Sequence, residues 1–228
     1  MTVITYLSDK RHSLTLISHI IFALVNELFI NNKNFYMTHC FTPLKKILLL
    51  AGIQLITLAA MAQVKYQSKD NLNLTVAGTS TMHDWTMKSS KGDVSATFVV
   101  AANGQITDLS ALTFTTPAEA LKSEKSGMDK NAYKSLKTSK APNLTYTLTS
   151  ATITGNVIKC QGKLTLAGFT KETDLVATLK ANADGTLTVT GTKKISMKDY
   201  QIDPPSFMMG TIKTGNDITL TFSVTLKK

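Results

Sequence analysis

From residue 72 onward, apolar and polar residues change places at every second position. This one pattern restricts the fold more than any other feature of the chain. Leu72, Leu74 and Val76 alternate with Asn73 and Thr75, and Val94, Ala96, Phe98 and Val100 with Ser95 and Thr97. Leu144, Tyr146 and Leu148 alternate with Thr145 and Thr147. Ile158, Cys160, Leu164 and Leu166 share one face, as do Leu175, Ala177 and Leu179, and Leu187 with Val189. The last run is the longest: Ile218, Leu220, Phe222, Val224 and Leu226 against Thr219, Thr221, Ser223 and Thr225. A period of two belongs to strands, whose successive side chains point to opposite faces. Thr fills the polar positions because its branched Cβ suits the pleat while its hydroxyl stays wet. A sheet with one apolar face must bury it, either against a second sheet or by closing on itself.

Turn residues separate the runs. Ala102-Asn103-Gly104, Thr154-Gly155-Asn156, Ala183-Asp184-Gly185 and Thr214-Gly215-Asn216 all predict tight turns. Such short connections join antiparallel neighbours, since a parallel crossover needs a dozen residues or more. One segment breaks the pattern. Between 117 and 140, Met128, Ala132, Tyr133 and Leu136 recur at helical spacing, with Lys130, Lys134 and Lys137 on the other side. The spacing predicts a helix over Asp129–Thr138, and Pro142 stops its continuation. A crossover of this length is a natural place for a lid over a ligand site.

No repeat, low-complexity tract or linker divides 63–228, so one domain is expected there. Ahead of it, Lys45-Lys46, the apolar run from Ile47 to Ala60 and the small-x-small Ala60-Met61-Ala62 have the form of a secretory signal peptide. The run is short for a membrane span. A second apolar run, 14–30, contains Glu27, which is costly in lipid. Met37 stands directly ahead of the signal. Residues 37–62 are therefore expected to be a signal peptide, and 1–36 an over-long start or non-structural extension. The mature domain, 63–228, is expected to be periplasmic or secreted.

The formal net charge is +10. Beyond residue 62 there are twenty Lys, thirteen acidic residues and no Arg, because the one Arg is Arg11. Bidentate phosphate capture and base-edge reading favour Arg. The all-Lys balance argues against nucleic acid as a partner. It suits solubility or weak attraction to an anionic membrane surface. The two Cys are Cys40 and Cys160. With Cys40 removed no disulfide can form, and Cys160 reads as a small buried apolar group.

Gly78-Thr79-Ser80-Thr81-Met82-His83-Asp84-Trp85 gathers Ser, His and Asp beside the only Trp. On an extended strand Ser80 and Asp84 face one way and His83 the other, which opposes a catalytic relay. The Gly-x-Ser-x-Gly elbow is not there. Beyond residue 62 the only His is His83, which falls short of a zinc ligand set, and Asp199, Asp203 and Asp217 lack calcium-loop spacing. A hydrolase using His83 is the weakest reading, and neither metal nor cofactor is expected. Gly78 reads as backbone freedom and Trp85 as a large buried anchor.

Four segments, in order, resemble the YceI-like family. They are Gly78–Trp85; the 121–136 segment with Met128-Asp129-Lys130-Asn131-Ala132-Tyr133, then Pro142-Asn143-Leu144-Thr145-Tyr146; Gly162-Lys163-Leu164-Thr165-Leu166-Ala167-Gly168; and Met197-Lys198-Asp199-Tyr200 through Pro204-Pro205 to Gly215-Asn216-Asp217. The resemblance spans about Leu72 to Leu226. It implies an all-β fold, an antiparallel lipocalin-like barrel of about eight strands with one short helix. It also implies a lumen that takes an apolar isoprenoid tail. A barrel of eight strands is just wide enough to be filled by its own side chains or to hold one slender ligand. Trp85, Phe98, Phe114, Tyr133, Tyr146, Phe169 and Phe222 are the expected apolar walls. Met197, Phe207, Met208 and Met209 are further candidates, with Lys near the mouth for a polar head. The expected partner is a long-chain isoprenoid or lipid. The alternative is a structural or stress-related protein with a filled core and no ligand.

Overall fold

The computed structural model describes residues 62–207 and 209–228. The predicted extension 1–36, the predicted signal peptide up to residue 61, and Met208 lie outside the described residues. Ala62 opens the first strand.

The described strands are β1 (Ala62–Lys69), β2 (Leu72–Ser80), β3 (Trp85–Ser89), β4 (Asp93–Val100), β5 (Ile106–Pro117), β6 (Asn143–Thr154), β7 (Val157–Leu166), β8 (Phe169–Ala181), β9 (Leu187–Ser196), β10 (Ser206–Phe207) and β11 (Ile212–Leu226). One α-helix, α1 (Ser126–Ser135), lies between β5 and β6. Neighbours run in the order β1-β4-β5-β6-β7-β8-β9-β11-β2-β3, with β10 added to β11. Every pairing is antiparallel.

The curled sheet meets itself. β1 and β2 are two halves of one long stave, bent at Asp70, where φ is 51°. β3 and β4 are the two halves of its hairpin partner, with Gly78 opposite Trp85 in one half and Tyr66 opposite Ala96 in the other. β11 runs along β2 from Gly78 to Leu72. It then reaches β1, where Gln67 and Lys227 exchange backbone hydrogen bonds of 2.6 and 2.8 Å. Counted as staves, the wall has the eight expected. The Gln67–Lys227 bridge joins β1 to the end of β11 and so covers an edge that would otherwise be unpaired.

The period-two pattern is kept in three dimensions. On β7, Ile158, Cys160, Leu164 and Leu166 are buried while Lys159, Gln161 and Lys163 are exposed. Phe98 is fully buried and packs edge-to-face on Tyr66, with ring centroids 5.7 Å apart. Three of the predicted turns join strands as expected. Thr214-Gly215-Asn216 does not: it lies inside β11 as an irregularity, where the ladder slips between Thr214 opposite Ser80 and Ile218 opposite Gly78. The Asn216 amide donates to Ser196 Oγ at 2.8 Å, and its carbonyl accepts the Lys198 amide at 3.1 Å. These bonds fasten the bulge to β9 and the turn after it. A Gly-Asn pair carries the same local signal for a bulge as for a turn.

The helix begins and ends three residues before its predicted bounds. At its start the Asp129 carboxylate accepts both the amide and the hydroxyl of Ser123, each at 2.7 Å. Those bonds hold the Asp129 carboxyl below its ordinary range. At its end Lys137 takes a left-handed backbone, φ 54°, and the Thr138 amide reaches back to the Tyr133 carbonyl at 3.1 Å. This is the usual geometry of a helix stop, but Gly or Asn normally supplies it. A Lys there leaves no mark in the sequence.

Candidate functional site

One end of the barrel carries the β2–β3 hairpin, the helix and the segment after β9. The helix lays Met128, Ala132 and Leu136 over the opening. The segment after β9 brings Met197, Ile202, Pro205 and Phe207 from the other side. Beneath them lie inward residues of the wall, among them Val76, Trp85, Met87, Leu144, Leu166, Ile218 and Leu220. Together they bound a cavity of about 370 Å³. That volume falls in the ordinary range of small-ligand pockets. Its polar lining consists of Ser80, His83, Lys125, Asn131, Ser135 and Thr214. Met82, His83 and Lys125 are exposed and mark the mouth.

A second cavity, of about 130 Å³, lies deeper in the barrel among Phe98, Phe114, Tyr146, Cys160 and Phe222. Lys193 also lines it, but its ammonium is paired with Asp174 at 2.7 Å. The Tyr146 hydroxyl donates to the Thr173 carbonyl at 3.3 Å, and Thr173 Oγ1 lies 2.6 Å from the Tyr200 hydroxyl. Burial raises the Tyr146 hydroxyl above its ordinary range, so it stays protonated. Burial also pushes the Cys160 thiol up to about 11. The thiolate is the reactive form, so at neutral pH Cys160 is a wall residue.

Of the seven expected wall residues, Trp85 lines the outer cavity and Phe98, Phe114, Tyr146 and Phe222 line the inner one. The other two are elsewhere. The Tyr133 hydroxyl lies 3.0 Å from the Glu119 carbonyl and 2.8 Å from that of Leu121, and Lys122 Nζ sits 4.9 Å from its ring centre. Tyr133 clamps the helix to the strap that follows β5 instead of facing the lumen. Phe169, first in β8 after the Ala167-Gly168 turn, is partly buried against the core at the lip of the barrel, outside both cavities. Met197 and Phe207 line the outer cavity, whereas Met209 is fully exposed. The helix stripe of Met128, Ala132 and Leu136 is the part of the wall that choosing the largest aromatics overlooks. Its helical period was visible.

The 78–85 stretch is not one extended strand. β2 ends at Ser80 and β3 begins at Trp85, with a hairpin loop between. Ser80 Oγ donates to the His83 carbonyl at 2.7 Å and accepts the amides of Met82 and His83 at 3.3 and 3.2 Å. Its hydroxyl therefore staples the loop. His83 Nδ1 lies 2.8 Å from the Asp84 backbone carbonyl, not its carboxylate. These bonds do not assemble a Ser-His-Asp relay. Gly78 does not take a left-handed backbone either: a Cβ there would overlap the Trp85 indole, whose Nε1 donates to the Thr79 carbonyl at 3.0 Å. Glycine is needed at 78 to seat the ring. Gly162 under Tyr146 and Gly191 under Phe222 repeat the arrangement.

The family model described as a YceI-like domain matches residues 63–226. None of the curated proteins compared matches the chain. Among solved structures it is similar to BcnA of Burkholderia cenocepacia, with a TM-score of 0.57 at 12% identity over 69% of this chain and 96% of that one. It is also similar to a polyisoprenoid binding domain from Saccharophagus degradans, with a TM-score of 0.53 at 10% identity over 73% and 99% of the two chains. At such identities the likeness is one of fold.

Proposed function

The chain belongs to the YceI-like domain family, and on that footing we propose that it is a periplasmic or secreted protein that binds the apolar tail of an isoprenoid or similar lipid inside its barrel. The observation that carries this reading is the apolar cavity of about 370 Å³ under the helix. The interior there is unfilled, so it offers what a filled-core structural protein would lack. The binding named for the Saccharophagus degradans domain supports the same ligand class. Transfer of an apolar tail from water contributes roughly 25 cal/mol per Å² buried. Lys125, His83 and Asn131 at the mouth offer a positive charge and hydrogen-bonding groups to a polar head.

Native protein extracted with organic solvent should release a long-chain lipid detectable by mass spectrometry. Refilling the stripped protein with farnesyl phosphate should change the fluorescence of Trp85, the only Trp. Repeated extraction with no lipid, together with an unresponsive Trp85, would rule the reading out.

The rim suggests where such a ligand is collected. Met82 is 66% exposed and Met209 is fully exposed. Their loops are stitched together: the Thr81 amide donates to the Lys213 carbonyl at 3.0 Å, and the Lys213 amide donates to Thr81 Oγ1 at 3.1 Å. These two apolar tips, with Lys125 lining the same mouth as Met82 and Lys213 bonded to Thr81, fit an anionic lipid surface through apolar insertion and charge attraction. The protein should sediment with vesicles rich in anionic lipid and not with neutral ones. The double variant Met82→Asp, Met209→Asp should lose that association, and equal sedimentation of variant and wild type would count against it.

A further inference from the structure

The two cavities are stacked but separate, and one residue, Leu220 of β11, lines both. On neighbouring strands the change of chamber falls between consecutive inward residues. Val76 belongs to the outer chamber and Leu74 to the inner, Leu144 to the outer and Tyr146 to the inner, Leu166 to the outer and Leu164 to the inner. Two residues of strand advance by roughly 7 Å, so the partition is a single layer of side chains.

The members of that layer differ in freedom. Tyr146 is tied by its hydroxyl to Thr173, and its ring rests against Gly162. Leu220, opposite Val76 on β2 and Lys193 on β9, is partly buried and its side chain has no group that can be tied by a hydrogen bond. A leucine can change rotamer without breaking a hydrogen bond. Phe98 and Leu226, each 1% exposed, and the buried Leu109 line the inner chamber.

Resting on the lipid-binding reading above, we infer that Leu220 is a length stop that matches the lumen to short isoprenoid tails. A dry apolar cavity of about 150 Å³ accepts one benzene, roughly six carbons. By that scale the inner chamber, about 130 Å³, takes roughly one five-carbon unit, and the outer, about 370 Å³, takes roughly three. A three-unit tail fits with Leu220 in place. A fourth unit enters the inner chamber only when Leu220 turns aside. An eight-unit tail exceeds both chambers together, so part of it stays in water.

The test uses farnesyl, geranylgeranyl and octaprenyl monophosphate, with three, four and eight units, titrated against wild type, Leu220→Ala and Leu220→Phe. Melting temperatures confirm that each variant is folded. Wild type should bind the farnesyl probe at least as tightly as the octaprenyl probe, although a longer tail offers more apolar surface. Leu220→Ala, which joins the chambers, should raise the affinity for the geranylgeranyl probe roughly fivefold or more relative to the farnesyl probe. Leu220→Phe, which thickens the partition, should lose any gain in affinity from the fourth unit over the third. Affinity that climbs steadily to eight units in all three proteins overturns the length stop and leaves lipid binding intact. No binding of any probe by wild type overturns both.

Discussion

Ala132→Trp should leave the barrel folded and weaken binding of farnesyl phosphate by roughly a hundredfold or more. Ala132 lies on the inner stripe of α1, between Met128 and Leu136, and lines the outer cavity. An indole placed there would occupy the space meant for the tail. A buried Trp covers roughly 150–250 Å². If the ligand loses only about 110 Å² of that contact, the loss at 25 cal/mol per Å² is about 2.7 kcal/mol, a factor of about a hundred. Stability should hold or rise slightly, because filling an apolar cavity is commonly stabilising. Lys130→Trp, on the wet face of the same helix, is the control and should bind as wild type does. Calorimetric titration gives the affinities and thermal melting gives the stability. An Ala132→Trp protein that binds normally would place the ligand outside this cavity.

Gly162→Ala should cost roughly 2–3 kcal/mol of stability, the ordinary penalty for overfilling a packed site. For a domain of this size each kcal/mol lowers Tm by roughly 2–4 °C, so the expected fall is roughly 4–12 °C. A Cβ at 162 would lie 2.5 Å from the Thr147 carbonyl oxygen and 2.5 Å from Tyr146 Cζ. Substitution removes the ring, but the carbonyl belongs to the β6–β7 ladder, where Thr147 pairs with Lys163 and Leu148 with Gly162. Adding Tyr146→Leu to Gly162→Ala should therefore restore only part of the loss. Gly78→Ala is the milder case, because the atoms in its way belong to the Trp85 side chain. It should move the indole and weaken its bond to Thr79 at smaller cost. Urea or thermal melts of the three variants decide this, and a Gly162→Ala protein that melts with wild type would refute the packing argument.

The strands were legible because their signal is local. Alternation along β7 and β11 names the inward residues one strand at a time, and Gly155 and Gly185 mark turns that short antiparallel connections require. The helix was legible in kind through Met128, Ala132 and Leu136, though not in its bounds, since the stop at Lys137 lacks the usual residue. The hairpin at 81–84 is invisible to alternation because its closure depends on Ser80 folding back on His83, a contact that a period of two does not describe.

The lumen was a different problem. Period two states which face a residue takes, and says nothing about its height in the barrel or which residue of a distant strand lies beside it. Those are set when β11, at the far end of the chain, pairs with β2 and meets β1 at Gln67. Only that closure makes Leu220 the one side chain shared by two chambers, and the β9–β11 pairing seats Phe222 over Gly191. A cavity is the space left over when side chains from many strands have been packed. It depends on register between segments far apart in sequence, and so belongs to the tertiary structure alone.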